Sequence, residues 1–294
     1  MDNPSICQVR ACLTAGDPWG LTNVTNGATL YIEPIFGRRI GLWNGTATVV
    51  AKVAALSLSL SGKTAQNYRL YVWDNNSDGV IDSSELVAWT NNTTPPADTL
   101  VADGYLVKAS ATNRRAVADI MLHATAQCDW REARRGICHI DERSRRTAVL
   151  SAFPSEDTWA VPRNTSAWRR ITGGTGVLGE HFVEFILSNT TLVSAESAVV
   201  VDRDAGSGTY KYEFGFGLDV TTANSATQQL GNDQSVGNVQ TQIATSKYKA
   251  NTTVGKRTLT MIEKNDTGRD VTAYGDNGLS PAVFKTGMVV EIML

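Results

Sequence analysis

Residues Leu56 to Gly62 read LSLSLSG. Strict apolar–polar alternation puts every leucine on one face of a strand and every serine on the other, which a helix of 3.6 residues per turn cannot do. Other strand-like runs recur along the chain: ATLYIEPIF, RRIGLWNGT, YRLYVW, YLVKAS, ADIMLHA, HFVEFILSN, SAVVVDRD, YKYEFGFGLDV, RTLTMIEK and GMVVEIML. Turn signals such as WNGT, NNSDG, NDTG and GDNG fall between them. Helix-period segments are few. SSELVAW reads as the opening of a helix, and CDWREARRGI as one or two helical turns. The pattern predicts an all-β chain of two β-sandwich-like domains following a short irregular N-terminal segment.

The expected organisation is an irregular segment over residues 1–28, a first β-domain over 29–127, a charged connection over 128–146 and a C-terminal β-sandwich over 147–294. Arginines in the connection are interleaved with acids, which describes a self-neutralising solvated loop. With 294 residues, 42% of them hydrophobic, the chain is long enough for two cores. A net charge of −2 argues against a nucleic-acid binder working through phosphate neutralisation. No apolar run has the length of a membrane span. The first twenty residues lack the basic and apolar regions of a secretory signal, which predicts synthesis in the cytoplasm.

One motif stands out. Residues 74–85, DNNSDGVIDSSE, fit the twelve-residue calcium loop at each ligand position. Asp74, Asn76 and Asp78 occupy positions 1, 3 and 5, with Gly79 at the sharp turn. Val80 offers its carbonyl at position 7, Asp82 acts through water at position 9, and Glu85 closes the site at position 12. Calcium is a hard cation needing six to eight oxygens, and this spacing supplies them from one segment. The alternative is a solvated hairpin loop. The preceding NYRLYVW reads as a strand, and no second loop pairs with this one. A bound Ca2+ is therefore expected to be a structural staple at a hairpin tip rather than a sensor.

Other constellations are weaker. Gly174, Gly176 and Gly179 have dinucleotide-fingerprint spacing, but a strand-like segment follows where a helix is needed. His123, His139 and His181 lie near no nucleophile motif. Asp219, Glu263 and Asp276 are candidate acids without a marked pair, and no catalysis is expected. Trp159 and Trp168 sit in a turn-rich stretch, either as core residues or as platforms for sugars. Cys128, Cys138 and His139 do not have a usual zinc spacing. Cys128 and Cys138 are open to two readings, buried thiols or a loop-closing disulfide.

Several segments, in order, resemble the surface fibre and head-spike proteins of tailed bacteriophages. They are LYIEPIFGRRIGLWNGT, LSLSLSGKTAQNYRLYVW, ELVAWTNNTT and DGYLVKASATNRR in the first half. DTWAVPRNTSAWRRITGG, GFGLDVTTANSA, VGKRTLTMIEK and YGDNGLSPAVFKTGM follow in the second. Within DGYLVKASATNRR, Val107, Lys108 and the Arg114–Arg115 pair match the family pattern. The resemblance implies a virion-surface protein, a homotrimer whose partners are other virion proteins of the capsid or tail and a host-surface glycan, and the irregular segment 1–28 is then expected to be its virion-attachment segment. The loop at residues 74–85 and the stretch at 128–138 depart from that pattern. Two other functions remain open from the residues alone: a calcium-dependent carbohydrate-binding module of a secreted protein, and a polysaccharide-degrading spike.

Overall fold

The computed structural model describes residues 6–131, 134–140, 145–150, 158–161, 165–171, 182–203, 209–225, 228–230, 232–235, 242–265, 271–274 and 287–293. Among these residues there is no helix, and the chain is all-β. By contact it divides into two compact units. The first comprises Met1–Arg143, Phe185–Thr190 and Thr253–Lys256, and the second Ser144–Glu184, Thr191–Thr252 and Arg257–Leu294.

The first unit is organised around the strand Ala111–Ala124. Its residues from Ala116 to Leu122 are buried without interruption, so both faces are covered. It pairs antiparallel with Asn67–Trp73 on one side and Ile137–His139 on the other. Asn67–Trp73 also pairs with Ser83–Ala88, making a hairpin. Two small sheets complete the unit. One joins Val9–Cys12, Thr29–Pro34 and Leu56–Ser59. The other joins Arg39–Trp43, Thr48–Val53 and the parallel two-residue strand Val80–Ile81. Leu30, Ile32, Ile40, Leu42, Val53, Leu70, Val72, Val117, Ile120 and Ile137 meet in one core from both sides, which is the sandwich arrangement.

Three expectations change. The segment 1–28 contributes the strands Val9–Cys12 and Val24–Gly27, with Val9, Ala11 and Leu13 in the core. The connection at 128–146 carries the strands Gln127–Arg131, Arg134–Arg135 and Ile137–His139 in place of helical turns. SSELVAW is likewise a strand, because pairing with Asn67–Trp73 outweighs the helix preference of Glu, Leu and Ala.

The second unit is built on longer strands. Thr191–Arg203 pairs with Gln242–Thr252 over eleven residues in continuous register, and with Gly287–Met293 on its other side. Arg145–Leu150 extends that sheet beyond Gly287–Met293. In a second layer of pairing, Gly255–Asn265 joins Thr209–Leu218 and Thr165–Arg170. Val193, Ala195, Phe214, Phe216, Leu259, Met261, Val290 and Ile292 are buried. The glycine run at Gly174–Gly179, His181 and Asp276 lie outside the described residues.

Candidate functional site

The hairpin Asn67–Trp73 / Ser83–Ala88 closes its ladder at Trp73 opposite Ser83. Residues 74–82 form its tip. The backbone turns through left-handed conformations at Ser77 (φ 58°) and Gly79 (φ 82°), the second of which suits only glycine at low cost. Asp74 accepts the Asp78 amide through Oδ1 (3.3 Å) and the Gly79 amide through Oδ2 (2.7 Å). Asp78 Oδ1 accepts the Val80 amide at 2.9 Å. Asp82 accepts the Asn75 amide at 2.8 Å and the Asn76 side-chain amide at 2.5 Å. These bonds, led by the Asn75 amide, hold the Asp82 carboxyl below its usual range. The loop is anchored sideways, since the Lys52 amide donates to the Gly79 carbonyl at 2.7 Å.

The structure therefore gathers Asp74, Asn76, Asp78, Val80 and Asp82 in one loop. Glu85 is elsewhere. It lies on the strand Ser83–Ala88, where its Oε1 accepts Lys108 Nζ at 2.8 Å and Arg114 Nη1 at 2.6 Å. Partial burial opposes its ionisation, but the two cations prevail and hold its carboxyl below the usual range. Among the described residues, no three His, Cys, Asp or Glu side chains are placed as they stand to hold a metal ion together. The partners of Glu85 lie 23 and 29 residues further along the chain. Loop spacing gives no hint of them, whereas the segment at 107–115 contains both.

Every named residue of that segment has a structural task. Val107 is fully buried beside Tyr105 and Val101. Arg114 stacks on Trp73, its guanidinium 4.3 Å from the ring centroid. Arg115 is fully buried. Its Nη1 donates to the carbonyls of Ile6 and Gly41, each at 2.9 Å, and its guanidinium lies 4.0 Å over the Tyr105 ring. One side chain thus ties the N-terminal segment and the strand Arg39–Trp43 to the central strand.

The same central strand carries a buried ion network. Arg69 makes a bidentate pair with Asp119, Nε to Oδ1 and Nη2 to Oδ2, both at 2.8 Å. Its Nη1 donates to Asp98, which also accepts the Tyr71 hydroxyl at 2.6 Å. Trp89 Nε1 donates to Asp119 at 3.2 Å. Burial works against the guanidinium charge, but the Asp119 and Asp98 contacts outweigh it and raise the Arg69 pKa. Burial and Asp98 together push the Tyr71 hydroxyl up.

Each of the other candidates is engaged with neighbours of its own. His123 Nε2 is 3.1 Å from Asn26 Oδ1, and its Nδ1 is 3.5 Å from Asp129. His139 is buried with Nε2 3.0 Å from both the amide and the carbonyl of Ala11. Asp219 pairs with Arg257 at 2.7 Å and accepts the Thr258 amide at 2.9 Å. Glu263 is buried against Arg169. Trp168 lies beside Lys264, 5.2 Å from ring centroid to Nζ. All four cysteines carry thiols, with no disulfide between Cys128 and Cys138. Burial raises the Cys128 thiol and pushes that of Cys12 up to about 11.

Sequence reading missed an exposed aromatic group. Trp19 is 44% exposed, Leu21 85% and Phe36 76%. The Trp19 and Phe36 rings sit 5.5 Å apart at 46°, and the Arg10 guanidinium lies 4.6 Å over Trp19. The loop bearing Trp19 is braced. Asp17 accepts the amides of Leu21 (3.1 Å) and Thr22 (2.8 Å), and the Gly20 carbonyl accepts Trp130 Nε1 at 2.7 Å. No periodicity marks such residues, because they stand in turns.

No protein-family model matches the chain, and no curated protein matches it. Solved structures with a partly similar trace include infectious bursal disease virus strain Gx, at 8% identity and a TM-score of 0.27 over 93% of this chain and 78% of that one. Strain Gt of the same virus gives 9% identity and a TM-score of 0.25 over 93% and 76%. A Bacillus thuringiensis Cry1Da tryptic core variant gives 8% and 0.19 over 91% and 48%. Scores this low carry no functional information.

Proposed function

We propose that the chain is a structural and adhesive protein of a bacteriophage or phage-like particle, a homotrimeric tail fibre or head spike displayed on the virion surface. Its partners are other virion proteins and, on the host, a surface glycan. The observation that carries the reading is the work done by the residues on which the resemblance rests. Val107 fills the core, Lys108 and Arg114 neutralise Glu85, and Arg115 clamps Ile6 and Gly41. A motif whose members each close part of a fold is a signature of that fold rather than of a reaction. No catalytic role is assigned. In the same reading, calcium is a staple of the loop at residues 74–82 and not a switch.

Antibodies against the folded chain should label intact particles, and particles lacking the protein should adsorb poorly to cells. Unlabelled particles sink the reading. Truncating residues 1–28 is a poor test of attachment, because it removes core strands along with any docking surface. The secreted-module alternative requires glycan binding by a monomer that a chelator abolishes. The degrading-spike alternative requires release of reducing ends from a polysaccharide.

A further inference from the structure

The exposed aromatic group belongs to a longer strip that backbone hydrogen bonds make continuous. Phe36 lies in a turn whose Arg38 amide donates to Ile35. Arg38 and Arg39 follow it, both exposed. The Arg38 carbonyl accepts the Val53 amide at 2.9 Å, and Arg39 is the register partner of Lys52, also exposed. The Lys52 amide in turn donates to Gly79 in the acidic loop, which displays Asp78 between Asp74 and Asp82. One end of the first unit thus presents, in order, an apolar group (Trp19, Leu21, Phe36), a basic row (Arg38, Arg39, Lys52) and an acidic tip.

The geometry points to a second copy of this chain as the partner of the strip, the acidic tip of one copy seated on the basic row of the next with Phe36 bordering the contact. Three observations select this occupant. Opposite charges at adjacent places on one surface make it complementary to itself. Trp, Phe, Leu and Arg exposed together are the composition of an interface core. A pyranose would need an open indole face, whereas Trp19 is covered by Arg10 and flanked by Phe36. The loop that carries Trp19 and Leu21 is already braced through its backbone, so little backbone ordering falls on association. The inference rests on the proposed multimeric particle protein for its setting, but not for its chemistry.

The test is sedimentation equilibrium of the full chain, run in calcium and again in EDTA so that the loop is examined with and without the ion. Wild type should associate at micromolar concentration, more weakly at 0.5 M than at 0.05 M salt. Phe36→Ser, at an exposed position, should stay folded by circular dichroism and weaken association at least tenfold. Lys52→Glu and Asp78→Lys should each weaken it, and the double variant Lys52→Glu/Asp78→Lys should recover most of the loss. Association that none of these changes moves overturns the strip and leaves the particle reading standing. A chain that stays monomeric at about 100 μM overturns both the strip and the homotrimer. Association as expected, with particles that antibodies fail to label, upholds the strip and overturns the particle reading.

Discussion

Removing the Asp119 carboxylate should be among the most damaging single changes in the first unit. Asp119 is fully buried on a strand covered on both faces, directly opposite Arg69 in register. It accepts two hydrogen bonds from the guanidinium and one from the Trp89 indole, with the Ser188 side chain as a further partner. Asp119→Ala strands those three donors in the core. A buried donor without an acceptor costs about 1–3 kcal/mol, so three set an upper range of about 3–9 kcal/mol. Two effects reduce it. Asp98 still faces the guanidinium, and the space of the lost carboxyl can admit water. The expected loss is therefore about 3–5 kcal/mol, the range for breaking one side of a buried pair. Urea unfolding followed by tryptophan fluorescence should show the midpoint fall with the slope unchanged. Asp98→Asn should cost less, since the bidentate pair survives and the new side chain still accepts from Tyr71. The double replacement Arg69→Met/Asp119→Leu should be milder than Asp119→Ala alone, because it removes the charge together with its partner. A loss below about 1 kcal/mol for Asp119→Ala, or a double variant worse than the single, refutes the argument that the network holds this core.

Three further outcomes follow from separate parts of the first unit. Gly20→Ala should lower the thermal midpoint by an amount equivalent to about 1–3 kcal/mol, because the backbone there has φ 62° and the new methyl would lie 2.4 Å from Trp130 Nε1; an unchanged midpoint contradicts the packing. Asp129, despite its burial, is held below the usual carboxylate range by the Asn26 amide, Arg134 and Arg131. Its depressed pKa gives stability that is present above the unfolded value of about 3.9 and is lost as the pH falls through the folded value, so Asp129→Asn should flatten the acid limb of the stability curve below about pH 4. An acid limb as steep as that of wild type argues against it. A thiol reagent at pH 8 should modify Cys7, which is half-buried, before Cys12, Cys128 and Cys138, which should react on unfolding; fewer than four thiols in denaturant without reductant would mean that a disulfide forms.

The strands most legible in the sequence are those rich in apolar residues, even where they also bury polar ones such as Arg69 and Glu263. Thr29–Pro34 and Leu56–Ser59 fall within the predicted runs, and Asn67–Trp73 and Gly255–Asn265 overlap theirs, extending past the ends. In Gln242–Thr252 the residues 245–252 alternate in burial, but the buried positions include Ser246 and Thr252, so hydropathy shows no period. Val9–Cys12 hides because its inward residues are few and its partner, Thr29–Pro34, begins seventeen residues later. The arginine-rich stretch reads as solvated because its charges are counted along the chain. In space, Arg131 and Arg134 both converge on the buried Asp129, and Arg135 stacks on Trp130. Partners set by strand register rather than by sequence distance are what a linear reading loses.

Glu85 belongs to two motifs, and they compete for it. As the twelfth residue of a calcium loop it would leave Lys108 and Arg114, at 2.8 and 2.6 Å, to face three aspartates. That exchange separates an ion pair at each cation, so closure of a calcium site by Glu85 is opposed by the loss of both pairs. Asp82 has no such tie, being held by the Asn75 amide and the Asn76 side chain within the same loop. If calcium staples this hairpin, Asp82 and the loop residues Asp74, Asn76 and Asp78 must turn from their own amides toward the ion. Calcium at a hundred times its dissociation constant would then stabilise the unit by about 2.7 kcal/mol, visible as a higher thermal midpoint than in EDTA. Asp82→Asn should abolish that difference, whereas Glu85→Gln should preserve it while lowering the midpoint in both conditions. A response lost in Glu85→Gln and kept in Asp82→Asn would restore the twelve-residue site. Equal midpoints for wild type in calcium and EDTA would make the tip a turn held by its own carboxylates, with Glu85 serving the strand alone.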